Sequence, residues 1–168
     1  AIRDVDNDGA MEIVFGNSAG KLYIIDSDGS RELAYTILGF IEGSPALVDI
    51  DGDQDLEIAF TTTTSSGGQL YVIHHNGITV SGFPKELGSM WAGPAVHDID
   101  NDGSFDVVVT TYDKEIYAIE ANGGTVKSGF PFVTEGRFST APIIVDVDSD
   151  GDYEIVAGNN NGALYVLH

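Results

Sequence analysis

The sequence has no cysteine, only 7 lysines and arginines, and no apolar run long enough to cross a membrane. Without cysteine there is neither a disulfide frame nor a thiolate metal site. The basic residues stand against 27 aspartates and glutamates, for a net charge of −20. That excess repels nucleic acid and anionic membrane surfaces, so neither is expected as a partner, and membrane insertion is not expected either. Cations are the natural partners. The chain opens on Ala1-Ile2-Arg3 without an initiator methionine or a basic-then-apolar leader, so any export signal is expected outside this segment.

A repeat dominates what is present. The segments Asp4 to Glu12 (DVDNDGAME), Asp49 to Glu57 (DIDGDQDLE), Asp98 to Asp106 (DIDNDGSFD) and Asp146 to Glu154 (DVDSDGDYE) align without gaps, and their starts lie 45, 49 and 48 residues apart. A constant period of this length signals repeat architecture. Each loop is followed by a β-rich apolar run beginning at Ile13, Ile58, Val107 or Ile155, then by a polar turn and a second run beginning at Leu22, Leu70, Ile116 or Leu164. Asp28-Gly29, Asn76-Gly77 and Asn122-Gly123 suit tight turns into a third strand of the run, which in two repeats is expected to open with Gly-Phe-Pro at Gly82 and Gly129. A short strand is expected to enter each Asp loop from Pro45, Pro94 and Pro142.

Four strands per unit, apolar on both faces, describe the blades of a β-propeller, an all-β fold of small antiparallel sheets packed between neighbours. The expected boundaries are 1–45, 46–93 and 94–141 for three full blades and 142–168 for a partial fourth. Propellers have about four to eight blades, so closure is expected to need further blades from the rest of a longer chain or from another copy.

Carboxylates occupy positions 1, 3, 5 and 9 of each loop: Asp4, Asp6, Asp8 and Glu12; Asp49, Asp51, Asp53 and Glu57; Asp98, Asp100, Asp102 and Asp106; Asp146, Asp148, Asp150 and Glu154. Position 7 can add a backbone carbonyl from Ala10, Asp55, Ser104 or Asp152. An all-oxygen set at this spacing favours calcium, about one ion per repeat and four in all, over zinc or copper. Eighteen carboxylates in four short loops would otherwise repel strongly, and four ions would bring the formal charge from −20 to −12. An EF-hand is excluded, because position 12 holds Phe15, Phe60, Val109 and Ala157 and each loop runs into a strand rather than a helix.

The four DxDxDGxx[DE]-type loops, with the upstream Gly-Ser-Pro-Ala (43 to 46) and Gly-Pro-Ala (93 to 95), resemble the FG-GAP family, also described as the VCBS-like calcium-binding propeller repeat. The resemblance covers the whole chain. It implies a propeller of typically seven blades, calcium held by side chains at positions 1, 3, 5 and 9 with the carbonyl of position 7, and a secreted or cell-surface protein. Repeat two departs from the pattern, with Gly52 at position 4 and Gln54 at position 6; repeat one lacks Gly-Phe-Pro, so its outer strand is expected to differ.

No nucleophile elbow, phosphate-binding glycine loop or His-rich metal triad is present, and calcium-held carboxylates are poor general acids, so no catalytic residue is assigned. The histidines read as surface or hairpin residues. The unlike segments 39–44, 88–93 and 135–141 enter the innermost strands, where propellers gather ligands. Within them Trp91, Arg137 and Phe138 are candidates for contact with a protein or glycan, being of types that anchor interfaces, while Ile41, Met90 and Phe138 share a register that also suits plugs between blades. The function expected is an extracellular interaction or adhesion scaffold. The alternatives are a polymerising unit of a filament or shell and, from related propellers, part of a polysaccharide-active enzyme.

Overall fold

The computed structural model describes residues 1–168, which form fifteen strands in four antiparallel sheets, with no helix. The first sheet holds β1 (Ile2–Arg3), β2 (Glu12–Gly16), β3 (Lys21–Ile25) and β4 (Arg31–Thr36) in that order. The second holds β5 (Ala46–Val48), β6 (Glu57–Thr61), β7 (Gly68–Ile73) and β8 (Lys85–Leu87), and the third β9 (Ala95–His97), β10 (Asp106–Thr110), β11 (Glu115–Glu120) and β12 (Phe132–Val133). The fourth has three strands, β13 (Ile143–Val145), β14 (Glu154–Gly158) and β15 (Leu164–Leu167). Neighbouring inner strands β5, β9 and β13 lie against one another, as the inner strands of propeller blades do.

The apolar runs explain this arrangement. Side chains alternate faces along a strand, so a strand that is apolar at every position must be covered on both sides. Every residue of β6 and of β10 is buried. Their two faces feed different cores. Ile58 and Phe60 pack with Val14, Leu22 and Ile24 of the first sheet, whereas Ala59 packs with Val107, Val109 and Ile119 of the third. Val108 turns the other way, onto Ile155 and Ala157 of the fourth. The protein therefore has three cores, each lying between two successive blades, and burial of each large side chain there contributes about 1.5–3 kcal/mol. In the first and fourth sheets β2 and β15 alternate in exposure, and Ile13, Phe15, Leu164 and Val166 are exposed.

Each core is closed by one residue of the following linker. Ile41, Met90 and Phe138 are 4%, 1% and 1% exposed. Ile41 lies against Gly16, where a Cβ would collide with it. In the next two blades the residue at the position of Gly16 is a threonine that ties the linker instead: Thr61 donates to the carbonyl of Ala92 (2.7 Å) and Thr110 to that of Thr140 (2.8 Å). Replacing Thr61 with valine is expected to cost about 1–2 kcal/mol, because the Ala92 carbonyl loses its donor, and to lower the melting temperature by a few degrees. Differential scanning calorimetry would detect the change; an unaltered melting curve would mean that the bond contributes nothing.

The Gly-Phe-Pro segments lie before the outer strands rather than inside them. Strands β8 and β12 begin at Lys85 and Phe132, after cis peptides at Phe83–Pro84 and Phe130–Pro131. The segment is a turn, closed by donation from Phe83 N–H to the Val80 carbonyl and from Phe130 N–H to that of Lys127, with Gly82 and Gly129 at positive φ. Repeat one, without this turn, passes directly into the longest outer strand, β4, with a bulge between Ile24 and Ile25.

Candidate metal centres and a candidate recognition surface

The four Asp loops connect the first and second strands of each blade, and all four share one hydrogen-bond pattern. The position 1 carboxylate accepts from the N–H of position 6: Gly9 to Asp4 (3.0 Å), Gln54 to Asp49 (3.1 Å), Gly103 to Asp98 (2.8 Å) and Gly151 to Asp146 (3.2 Å). The position 5 carboxylate accepts from the N–H of position 7, at 2.7–3.0 Å, in pairs Ala10 to Asp8, Asp55 to Asp53, Ser104 to Asp102 and Asp152 to Asp150. Two residues per loop take positive φ to make the turn. Position 4 uses Asn7, Gly52, Asn101 and Ser149; position 6 uses Gly9, Gly103 and Gly151, and in repeat two Gln54, at φ 80°, a conformation that side chains rarely adopt.

Position 9 is the deepest. Glu12, Glu57, Asp106 and Glu154 are all fully buried at the start of β2, β6, β10 and β14. One oxygen of each is fixed by the N–H of position 2: Val5 to Glu12 (2.7 Å), Ile50 to Glu57 (2.8 Å), Ile99 to Asp106 (3.4 Å) and Val147 to Glu154 (2.8 Å). The longest of these belongs to aspartate, one methylene shorter than glutamate. Buried Asp4 Oδ1, Glu12 Oε1, Asp106 Oδ1 and Glu154 Oε1 accept no hydrogen bond. Leaving such an oxygen unpaired costs about 1–3 kcal/mol or more, and a cation would satisfy it. Side-chain oxygens of Asp4, Asp6 and Asp8, of Asp49, Asp51 and Asp53, and of Asp98, Asp100 and Asp106 each fall within 4.8 Å of one another. The residues present therefore fit a hard, oxygen-seeking cation. Desolvation pushes the Glu12, Glu57 and Asp106 carboxyls above their ordinary pKa values, against the pull of the backbone N–H each accepts.

The residue at the end of the third strand of each blade lies beside the start of the second, and the sequence reading missed it. His74 Nδ1 is 2.9 Å from Glu57 Oε1, and His168 Nδ1 is 2.9 Å from Glu154 Oε1, out of hydrogen-bonding alignment. Asp26 and Glu120 occupy this position in repeats one and three, since Ile25, Ile73, Ile119 and Leu167 all pair with the residue after position 9. His75 lies 3.3 Å from Asp55 Oδ2, and His97 stacks on Tyr153 at 3.9 Å. These histidines belong to the loop surroundings rather than to free hairpin surface.

Lys127 was also missed. Its ammonium lies 2.6 Å from Asp100 Oδ2, 3.3 Å from Asp106 Oδ1 and 3.5 Å from Asp102 Oδ2, with the side chain 11% exposed. Burial works against its charge, but Asp100 and Asp106 outweigh that and hold its pKa above the ordinary lysine value.

The antiparallel connectivity places the linkers at the opposite end of the blades from the Asp loops. There Trp91, 49% exposed, lies 6.3 Å from Tyr112, and the Arg137 guanidinium sits 4.6 Å above the Tyr112 ring. Ser139 and Asn160 border the same depression and are hydrogen-bonded to each other at 2.9 Å. Tyr112, in the turn between β10 and β11, completes the group and carried no signal of its own in the sequence. Phe138 does not belong to it. Its ring is buried against Val108, Ile116 and Ile155, so of its two expected roles it fills that of a plug.

A model of the FG-GAP-like repeat matches residues 4–60, 49–109 and 98–157. A comparison with curated protein sequences gives no match. Among solved structures, the Vibrio cholerae biofilm matrix protein Bap1 superposes with a TM-score of 0.72 at 21% identity, covering 100% of this chain and 26% of that one. BBS1N, crystallised in complex with ARL6DN, gives 0.68 at 14% identity over 99% of this chain and 49% of its own, and the Pseudomonas aeruginosa PilY1 C-terminal domain gives 0.65 at 19% over 94% and 38%. The chain thus spans less than half the length of each of these structures, with which it shares a fold. With the repeat model covering nearly every residue from the first Asp loop to β14, the chain belongs to the FG-GAP-like repeat family.

Proposed function

We propose that this propeller segment is a non-catalytic recognition scaffold of a secreted or cell-surface protein, held in shape by calcium. Support for the metal comes from the buried, unpaired carboxylate oxygens of Asp4, Glu12 and Glu154. In loop one the ligands would be Asp4, Asp6, Asp8, the carbonyl of Ala10 and Glu12; in loop two Asp49, Asp51, Asp53, the carbonyl of Asp55 and Glu57; in loop four Asp146, Asp148, Asp150, the carbonyl of Asp152 and Glu154. Calcium takes about six to eight oxygens and tolerates irregular geometry, whereas magnesium demands a near-ideal octahedron. The bound ion would neutralise the carboxylates and tie the first and second strands of a blade together.

Support for recognition comes from the Trp91–Tyr112–Arg137 cluster, in which exposed Trp91 and Arg137 flank half-buried Tyr112 and offer aromatic area, a fixed positive charge and polar neighbours. Bap1, with which the fold is shared, is a biofilm matrix protein, and this agrees with an extracellular setting. Screening the calcium-loaded protein on glycan and protein arrays tests the reading. A ligand should appear whose affinity falls at least tenfold in Trp91→Ala while the melting temperature stays unchanged. Binding to neither array, or binding indifferent to Trp91→Ala, would contradict it.

A pH signature follows from the buried glutamates. Glu12 and Glu57 have folded pKa values above their unfolded ones, so their charged forms oppose folding in the absence of metal. In chelator, their contribution favours the folded state below the unfolded pKa and is lost as pH rises through the raised folded values. A bound cation reverses the preference by stabilising the carboxylates. The gain in melting temperature on adding calcium should therefore be larger at about pH 7 than at about pH 5. Scanning fluorimetry at the two pH values would show it, and an equal or smaller gain at the higher pH would count against these two carboxylates as ligands.

A further inference from the structure

We propose that the third Asp loop is stapled by the chain's own Lys127 ammonium in place of a metal ion, so that the protein takes up three calcium ions rather than four. The inference rests on the calcium reading of the other loops, but its direction is the opposite: it removes one site.

Geometry carries it. The ammonium of Lys127 lies within 3.5 Å of carboxylate oxygens at positions 3, 5 and 9 of loop three, Asp100, Asp102 and Asp106. These are three of the four side-chain positions that would hold the cation in the other loops; the ammonium donates to Asp102 Oδ2 and is ion-paired with Asp100 and with Asp106, its positive charge lying 3.3 Å from the otherwise unpaired Asp106 Oδ1. The fourth, Asp98, accepts from Asp102 N–H at 3.1 Å and Gly103 N–H at 2.8 Å, as position 1 accepts from the backbone in the other loops. The lysine side chain is nearly buried, and Asp106 completely. A calcium ion on the same oxygens would have to expel a buried cation, because two positive charges cannot share the site at that spacing.

The neighbouring repeats show what is special here. The backbone of Lys127 is equivalent to that of Val80: Val80 N–H donates to the Val72 carbonyl and Lys127 N–H to the Ala118 carbonyl, both at 2.9 Å, one residue after the bridges Ile73–Thr79 and Ile119–Val126. In repeat one Ile24, the counterpart of Val72 and Ala118, pairs with Leu33, and the bulge leaves Glu32 beside it. One register position thus carries leucine, valine and lysine in successive blades. Glu32 lies with Asp26 beside Glu12 and adds acceptor charge behind loop one. Lys127 reaches forward into loop three. The loop has a matching change, because position 9 is aspartate only in repeat three. The shorter side chain withdraws the buried carboxylate by one methylene, and the Lys127 ammonium lies 3.3 Å from it.

Calcium counting on the full chain tests this. Isothermal titration, with elemental analysis of protein after gel filtration, should give three ions per chain for the wild type and four for Lys127→Met. Asp6→Asn in loop one should lower the count by one, whereas Asp100→Asn in loop three should leave it unchanged. The two aspartate variants keep the test valid should Lys127→Met fail to fold. Four ions in the wild type, no gain in Lys127→Met, or loss of an ion in Asp100→Asn would each overturn the inference. Zero ions in every variant would instead sink the calcium reading on which it rests.

Discussion

Chelation with EGTA is expected to lower the melting temperature of this protein by on the order of 10 °C or more. An ion bound only by the folded form stabilises it by about 2.7 kcal/mol at a free concentration a hundredfold above its dissociation constant, and several sites act together. For a chain of this size each kcal/mol moves the midpoint by about 2–4 °C. The unpaired oxygens of Glu12 and Glu154 enlarge the effect, since removing the ion leaves a buried charge without a partner rather than a solvated one. Scanning fluorimetry in millimolar calcium and in excess EGTA would measure the difference. Coincident melting curves would show that the Asp loops hold their shape without metal.

The second large effect is expected at a buried linker residue that contributes no carboxylate. Phe138→Ala should destabilise the protein by about 3–5 kcal/mol, because its fully buried ring fills the space between the third and fourth blades. Tyr165 packs edge-on against it at 6.1 Å and would lose that contact. Trp91→Ala, in the preceding linker and exposed, should leave stability within about 0.5 kcal/mol. Denaturant unfolding of the two variants side by side would show the contrast, and a mild effect of Phe138→Ala would mean that the blades tolerate a gap at their seam.

The blades were legible because three independent signals share one period: the Asp loops, the apolar strand after each, and the proline that opens the inner strand. Apolar runs without alternation indicated coverage on both faces, and β6 and β10 are covered on both. Gly-Phe-Pro misled, since its position between two strands is compatible with either a turn or a strand start, and only the Phe83 and Phe130 donors to residues three back decide for the turn. The surroundings of the loops were the least legible part. His74 and His168 reach the position 9 carboxylates from the paired strand and Lys127 from beyond it, and their role depends on the exact strand register. Repeat three has one more residue between its third-strand run and Ser-Gly-Phe-Pro than repeat two, so a gapless reading of the hairpin displaces Lys127 from Val80. Tyr112 joins Trp91 across two connections for the same reason.

The pairing of Gly16 with Ile41, and of Thr61 with the linker at Ala92, reaches beyond stability. In the first blade the fifth second-strand residue and the plug share one small volume, and in the next two that residue holds the linker two residues past the plug, so neither can drift alone. Among descendants of such a repeat the two positions should change together, about 25–30 residues apart, glycine travelling with a branched plug and threonine with an unobstructed carbonyl. Duplicated blades would then lose their interchangeability at the joints first, and a blade moved to another place in the array would carry the wrong half of the lock.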